Sequence, residues 1–309
     1  MRKFLLLIVC IAAVLAGLFI LRDPARGPLD AAARARAPGS FVPVPAGQVH
    51  YELGGPESGR TVVLVHGFSV PSHIWDPTFR ALREAGFRVL RFDLFGRGWS
   101  DRPDAAYDGP FYEKQIDELL RALRLEGPVD LVGVSFGGYL AARYAAGRPE
   151  RIRTLTLIDP LTTSRPVPWY YETPVLGGLA YQMLKVPGLA EGQAGDFLQP
   201  ERFPDWADRY RPQMRYDGFG RALHRTALGL RAVDFDGIYA AINRASYPLL
   251  LVWGKQDTVL PIGGAERVRN AVPRTQFVAF DNAGHLPHVE RTEIFEPLLL
   301  DFLRRSAPR

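Results

Sequence analysis

The sequence predicts an α/β protein: a mostly parallel, doubly wound sheet that carries a helical cap insertion. Three observations point there. Short runs of β-formers alternate with amphipathic segments over residues 41–159, as a parallel sheet covered by helices on both faces requires. The alternation stops at Pro160 and resumes at residue 248, and the segment between them shows no clean strand. Hydrophobic residues make up 47 % of the chain, enough for a real core and too many for a disordered one.

The N-terminus reads separately. "MRKFLLLIVCIAAVLAGLFILRD" opens with two basic residues, followed by an uncharged run from Phe4 to Leu21. As a helix that run is about 27 Å long at 1.5 Å per residue, close to a hydrocarbon core of about 30 Å. It exceeds the usual h-region of a secretory signal, and the nearest small-x-small motif, Ala35-Arg36-Ala37, lies well beyond it. Residues 4–21 are therefore expected to anchor the chain in a membrane, with an exported, cleaved form as the alternative. Basic residues flank both ends, so orientation stays open. Residues 22–40, rich in Ala, Arg, Pro and Gly, read as a flexible tether. The lone cysteine, Cys10, lies in the apolar run without the small residue that lipidation would want before it.

From Phe41 onward each element has its own signal. "FVPV" and "QVHYEL" suggest a β-hairpin. "TVVLVHG" (61–67), "FRVLRFD" (87–93), "VDLVGVS" (129–135) and "IRTLTLID" (152–159) are apolar runs of buried parallel-strand type. Helices separate them: "DPTFRALREAG", stopped by Gly86; "FYEKQIDELLRALRL", with its stripe Ile116, Leu119, Leu120 and Leu123; and "FGGYLAARYAAG". Residues 160–247, dense in aromatics, form the expected cap. "YPLLLVWGKQD", a helix near 263–271, "TQFVAF" and a helix near 293–304 complete the core over 248–309.

Charge excludes one function class. Residues 1–40 hold six basic and two acidic residues, so the body carries only +1 of the total +5 and lacks a nucleic-acid footprint. Chemistry concentrates at strand ends. Gly133-Val134-Ser135-Phe136-Gly137 places a serine where a strand meets a helix, a corner that exposes a nucleophile above the sheet edge. A serine needs a base. His285, in "DNAGHLPHVE" after the last strand, is the candidate, with His288 as its competitor. Asp257, after "LLLVWG", would orient that histidine, and Asp159 is the alternative acid. Oxyanion donors are expected at the N–H groups of Phe136 and Phe68. His66 reads as a loop organiser, and Asp93 with "LFGRGWS" as a structural turn. His285 and His288 make a poor metal pair across Pro287, so no metal and no cofactor is expected.

"HGF", "FDLFGRGWSDRP", "GVSFGG", "LLVWGKQDTVLP" and "AGHLPHVE" together resemble the α/β-hydrolase superfamily. The likeness is greatest to monoacylglycerol lipase-like esterases and meta-cleavage-product C–C hydrolases, and an anchor before such a domain resembles membrane-bound monoacylglycerol lipases. Serine at position 135 disfavours the relatives that use aspartate as nucleophile. The resemblance implies a cap over the site and hydrolysis of a small-molecule or lipid ester, such as a monoacylglycerol. Its alternatives are C–C hydrolysis, with Arg165 or Arg202 as the cation for a substrate carboxylate, and a non-catalytic ligand-binding protein on the same scaffold.

Overall fold

The computed structural model describes residues 17, 23–174 and 176–306. Apart from Gly17, the expected anchor and Cys10 lie outside the described residues. Among the described residues no helix is long and apolar enough to cross a membrane.

Eight strands form one sheet in the order β1-β2-β4-β3-β5-β6-β7-β8. The hairpin of β1 (Ser40–Val44) and β2 (Gly47–Gly54) is antiparallel, and β2 also runs antiparallel to β4 (Arg88–Phe92). The remaining pairs are parallel: β3 (Thr61–Val65) with β4 and with β5 (Val129–Val134), then β6 (Ile152–Ile158), β7 (Leu249–Gly254) and β8 (Gln276–Phe280) in turn. Every residue of β5 and β7 is buried, which is why these strands are apolar throughout rather than alternating.

Helices cover both faces. On one face lie α1 (Asp76–Glu84) and the C-terminal helix Thr292–Arg305, packing Phe79, Leu82, Phe295 and Leu299 under the sheet. On the other face lie α2 (Gly109–Ala122) and α3 (Phe136–Gly147). The α2 helix starts at Asp108, whose carboxylate accepts from the Phe111 N–H at 2.9 Å, and it stops before Arg124, which is left-handed at φ +56°.

The insertion is helical, with Leu176–Leu184 as α4, Trp206–Tyr210 as α5 and Phe219–Gly229 as α6, linked by short 3₁₀ turns. The last helix before β7, α7 (Phe235–Arg244), packs with the core instead. Phe235, Tyr239 and Ile242 join the core cluster beneath α3, and the Phe235 ring lies 5.3 Å from that of Tyr139.

Residues 23–39 differ from the flexible tether that their composition suggests. They form a strap docked on the body. The Arg26 N–H donates to the Arg215 carbonyl at 2.7 Å, and the Gly27 carbonyl accepts from the Asp217 N–H at 2.9 Å. Asp23 accepts from Gln182 Nε2 of α4 at 2.8 Å. Leu29 and Ala33 are buried, and Arg34 pairs with Asp101. The Leu29 and Ala33 side chains, which look like spacer in sequence, are buried by this docking. Burying a leucine contributes about 1.5–3 kcal/mol. A chain beginning at Asp23 is therefore expected to melt about 5 °C above one beginning at Ser40. Equal melting temperatures in a thermal scan would mean that the strap adds no stability.

Candidate active site

Ser135 stands at the corner between β5 and α3 with φ +56° and ψ −121°. This strained conformation is held from three sides. The Ser135 N–H donates to the Ile158 carbonyl at 2.9 Å, and its carbonyl accepts from the Leu161 and Tyr139 N–H groups. A Cβ on Gly133 would lie 2.3 Å from the Gly137 carbonyl oxygen. A Cβ on Gly137 would lie 2.3 Å from the carbonyl oxygens of Val65 and His66. Only glycine lets the corner press this closely on the end of β3.

Two loops bring the partners. The β7 loop carries Asp257 and the β8 loop carries His285. They are tied together by Gln256 N–H to the Ala283 carbonyl at 3.0 Å and Lys255 N–H to the Phe280 carbonyl at 2.9 Å. His285 Nε2 is 2.9 Å from Ser135 Oγ, and its Nδ1 is 2.8 Å from Asp257 Oδ2. The other oxygen of Asp257 accepts from the Val259 and Leu260 N–H groups, both at 2.8 Å. Burial favours protonation of Asp257. The hydrogen bond and charge of His285, together with a hydrogen bond from Asp159, outweigh that effect and hold its pKa below the ordinary value.

Asp159 lies against this pair. Its backbone is left-handed at φ +40°, and Oδ1 accepts from the Gly254 N–H at 3.0 Å. Burial first, then the charge and hydrogen bond of Asp257, push its carboxyl pKa well above the usual range. Burial and the neighbouring Asp257 carboxylate therefore both favour the protonated form of Asp159. Asp159, Asp257 and His285 bring ligand-type atoms within 4.8 Å of one another. Hydrogen bonds already occupy both oxygens of Asp257 and both nitrogens of His285, which accounts for the cluster.

The turn after β3 faces Ser135 and is organised by His66. Its Nδ1 donates to the Gly67 carbonyl at 2.9 Å, and Nε2 accepts from the Leu94 N–H at 2.9 Å. In a trans peptide the N–H points opposite to the carbonyl, so this bond turns the Phe68 N–H away from His66. Burial lowers the His66 pKa to about 4 and keeps the ring neutral, as that bonding requires. Arg97 fixes the next peptide by donating to the Phe68 carbonyl at 2.8 Å. Among the described residues, neither the Phe68 nor the Phe136 N–H is paired with a protein acceptor.

The remaining candidates sit apart from Ser135. His288 is wholly buried between Trp75 and Phe295, and burial drives its pKa down to about 3. Asp93 gathers donors from His50, Ser72 and Trp99, each at 2.8 Å, and shapes the turn after β4. Arg165 is exposed at the cavity rim, where it donates to the Val259 carbonyl, while Arg202 packs over Phe203.

Ser135 and His285 open into a cavity of about 720 Å³ between sheet edge and cap, lined by aromatics that include Phe68, Tyr170, Tyr171 and Tyr181. The cap also contributes Lys185, Gln193 and Asp196 to its wall. Sequence reasoning missed these three, because they lie in short turns with no periodic signal.

Fold and site together define a hydrolase of the α/β type. The chain belongs to the alpha/beta hydrolase family, whose pattern matches residues 62–297. It is 29 % identical over 260 residues to the pimeloyl-[acyl-carrier protein] methyl ester esterase of Nitrosomonas europaea, covering 80 % of this chain and 96 % of that one. It is 29 % identical over 266 residues to the monoacylglycerol lipase abhd6-B of Xenopus laevis, covering 81 % and 77 %. Among solved structures, it is similar to a membrane phospholipase A described as a bacterial virulence factor, with a TM-score of 0.71, 26 % identity and 99 % of each chain covered. The protein is a hydrolytic enzyme.

A raised carboxyl pKa makes folding take up a proton at pH values between the ordinary and the raised pKa. Asp159 therefore costs stability as pH rises from the ordinary carboxyl range, about 4, toward its raised value. Asp159→Asn keeps an acceptor for Gly254 and a donor for Asp257 without that proton. The variant is expected to lose less stability than wild type between pH 5 and pH 8 when melting temperature is followed against pH. Parallel curves would show that Asp159 is ionised.

Proposed function

We propose that this hydrolase is a serine esterase of lipase type, cleaving the carboxylic ester of an apolar, lipid-like substrate such as a monoacylglycerol. The observation that carries this reading is the unbroken chain Ser135 Oγ, His285, Asp257 at the wall of an aromatic cavity. In this mechanism Ser135 Oγ attacks the ester carbonyl while its proton passes to His285 Nε2. Asp257 holds the Nδ1–H and stabilises the imidazolium. The tetrahedral oxyanion accepts from the Phe68 and Phe136 N–H groups, aided by the N-terminus of α3. Collapse expels the alcohol, which takes the proton from Nε2 and leaves an acyl-serine. Water, activated by the same histidine, then releases the acid. The esterase and lipase names of the relatives support an ester substrate. The anchor reading for residues 4–21 is part of this proposal. It rests on the length of the uncharged run, with support from the likeness to a membrane phospholipase A over 99 % of both chains.

A p-nitrophenyl ester series from acetate to palmitate tests the substrate class, with best turnover expected beyond acetate. Ser135→Ala is expected to abolish turnover and fluorophosphonate labelling while the protein stays folded. Asp257→Asn should lower kcat by about 10⁴ by favouring the wrong tautomer, and His285→Ala should cost at least as much. Labelling that persists in Ser135→Ala would remove the nucleophile assignment.

His66→Ala frees the Gly67–Phe68 peptide. It is expected to lower kcat by about 10-fold to 100-fold with little change in KM, less than outright loss of an oxyanion donor. Steady-state kinetics that move KM alone would count against the assigned donor.

For the anchor, the full chain is expected to stay with membranes through high-salt and alkaline carbonate washes and to keep its intact N-terminus. Recovery in the wash with a processed terminus would replace the anchor by a cleaved signal.

A further inference from the structure

The cap presents an apolar face to solvent. Helix α4 reads LGGLAYQML and carries no charge. Leu176, Leu179 and Leu184, spaced i, i+3 and i+8, stand on one side of it at 64 %, 43 % and 61 % exposure. Trp169, in the helical turn Trp169–Glu172, is 76 % exposed. The turn and the helix pack together through the rings of Tyr171 and Tyr181, 5.1 Å apart. A cap that buries these two tyrosines and leaves four large apolar side chains outside has a surface suited to something other than water.

The path of the chain identifies what covers this face. Asp23 accepts from Gln182 Nε2 at 2.8 Å, and Gln182 lies three residues after Leu179, next to it on the surface of α4. Only Arg22 separates Asp23 from Leu21, the end of the uncharged run. Two residues of chain reach about 7 Å at most. With that run in a bilayer, Gln182 stands at the membrane surface, where the headgroup layer is about 5–7 Å deep. The charges nearby match. Glu172 is paired with Arg231. Lys185, which follows α4, and Arg26 are exposed, and neither forms an ion pair among the described residues. They suit the phosphates of anionic lipids. A second copy of the chain, docked face to face, would instead set these cations against themselves.

We propose that the face formed by Trp169, Leu176, Leu179 and Leu184 docks into the lipid interface of the membrane that holds residues 4–21. A tryptophan suits that depth, with an apolar ring and a polar N–H, and the leucines bury at the acyl boundary. The proposal rests on the anchor reading above and adds an orientation. The same two elements carry Tyr170, Tyr171 and Tyr181 into the cavity wall. Docking therefore sets that wall against the bilayer and gives an apolar ester a short path toward Ser135.

The test uses the full chain in vesicles of phosphatidylcholine and phosphatidylglycerol whose acyl chains are brominated near the headgroup. Trp75, Trp206 and Trp253 are buried in the protein, so contact quenching reports chiefly on Trp169. Brominated lipid is expected to quench the wild-type tryptophan emission, and Trp169→Gln is expected to lose most of that quenching. The triple variant Leu176→Gln, Leu179→Gln, Leu184→Gln should lose it as well. That variant should also hydrolyse monooleoylglycerol dissolved in the vesicles about tenfold more slowly, as loss of orientation costs, while p-nitrophenyl acetate hydrolysis is unchanged. A carbonate wash of the same vesicles reads the anchor separately. A chain that stays through the wash with no quenching at Trp169 would overturn the docking and leave the anchor standing. A cross-linked dimer that the leucine substitutions abolish, again without quenching, would give the face to a second copy. A chain released in the wash would overturn anchor and docking together, with residues 4–21 then free to cover the face themselves. Quenching needs no substrate, so it decides the docking whatever ester the enzyme takes.

Discussion

The close approach of the β5–α3 corner to the end of β3 is the constraint on which the rest of the site depends. The carbonyls of Val65 and His66 occupy the space that a side chain on residue 137 would need. That contact sets how far Ser135 stands from the turn bearing Phe68. The strand order then does the rest, since β5 lies between β3 and β6. One neighbour carries the turn in which Gly67 lies against Ser135, and the other carries Asp159, behind which β7 and β8 bring Asp257 and His285. The chemistry comes from loops, but its geometry is set by backbone packing at one glycine.

Buried acids show how the fold handles charge, and each is handled differently. Asp130 is fully buried and meets two guanidinium groups, Arg60 at 2.9 Å and Arg153 at 3.2 Å, plus the Thr154 hydroxyl. Asp93 meets His50, whose pKa is opposed by burial yet raised on balance by the charge and hydrogen bond of Asp93. Asp159 meets no cation among the described residues, and burial with the charge of Asp257 raises its pKa instead. A raised pKa at Asp159 favours an ionised Asp257 without a second negative charge beside it. The acid facing His285 and the acid behind it thus have pKa values shifted in opposite directions by what surrounds them, not by residue type.

Much of this was legible in the sequence, and the division has a physical basis. The strands were readable because parallel strands are apolar on both faces, and Ser135, His285 and Asp257 were readable because each follows a strand at the same sheet edge. The raised pKa of Asp159 was not, since it depends on burial and on the charge of a residue almost a hundred positions away. Helix α7 looked like part of the insertion because periodicity marks an apolar face without saying what that face meets. Residues 23–39 read as spacer because their partners, Asp101, Gln182 and the segment 215–217, lie far along the chain. Gln193 and Asp196, in the cavity wall, lie in a 3₁₀ turn too short to carry any pattern.

The docked strap also determines where a mechanical load enters the molecule. Asp23 is bonded to Gln182 of α4, and Arg26 and Gly27 are bonded to the segment 215–217. A pull on the chain before residue 23 would be borne first by the cap, the layer that roofs the cavity, and only afterwards by the sheet. From residue 23 onward the chain is therefore tied to the roof of the cavity before it reaches the sheet.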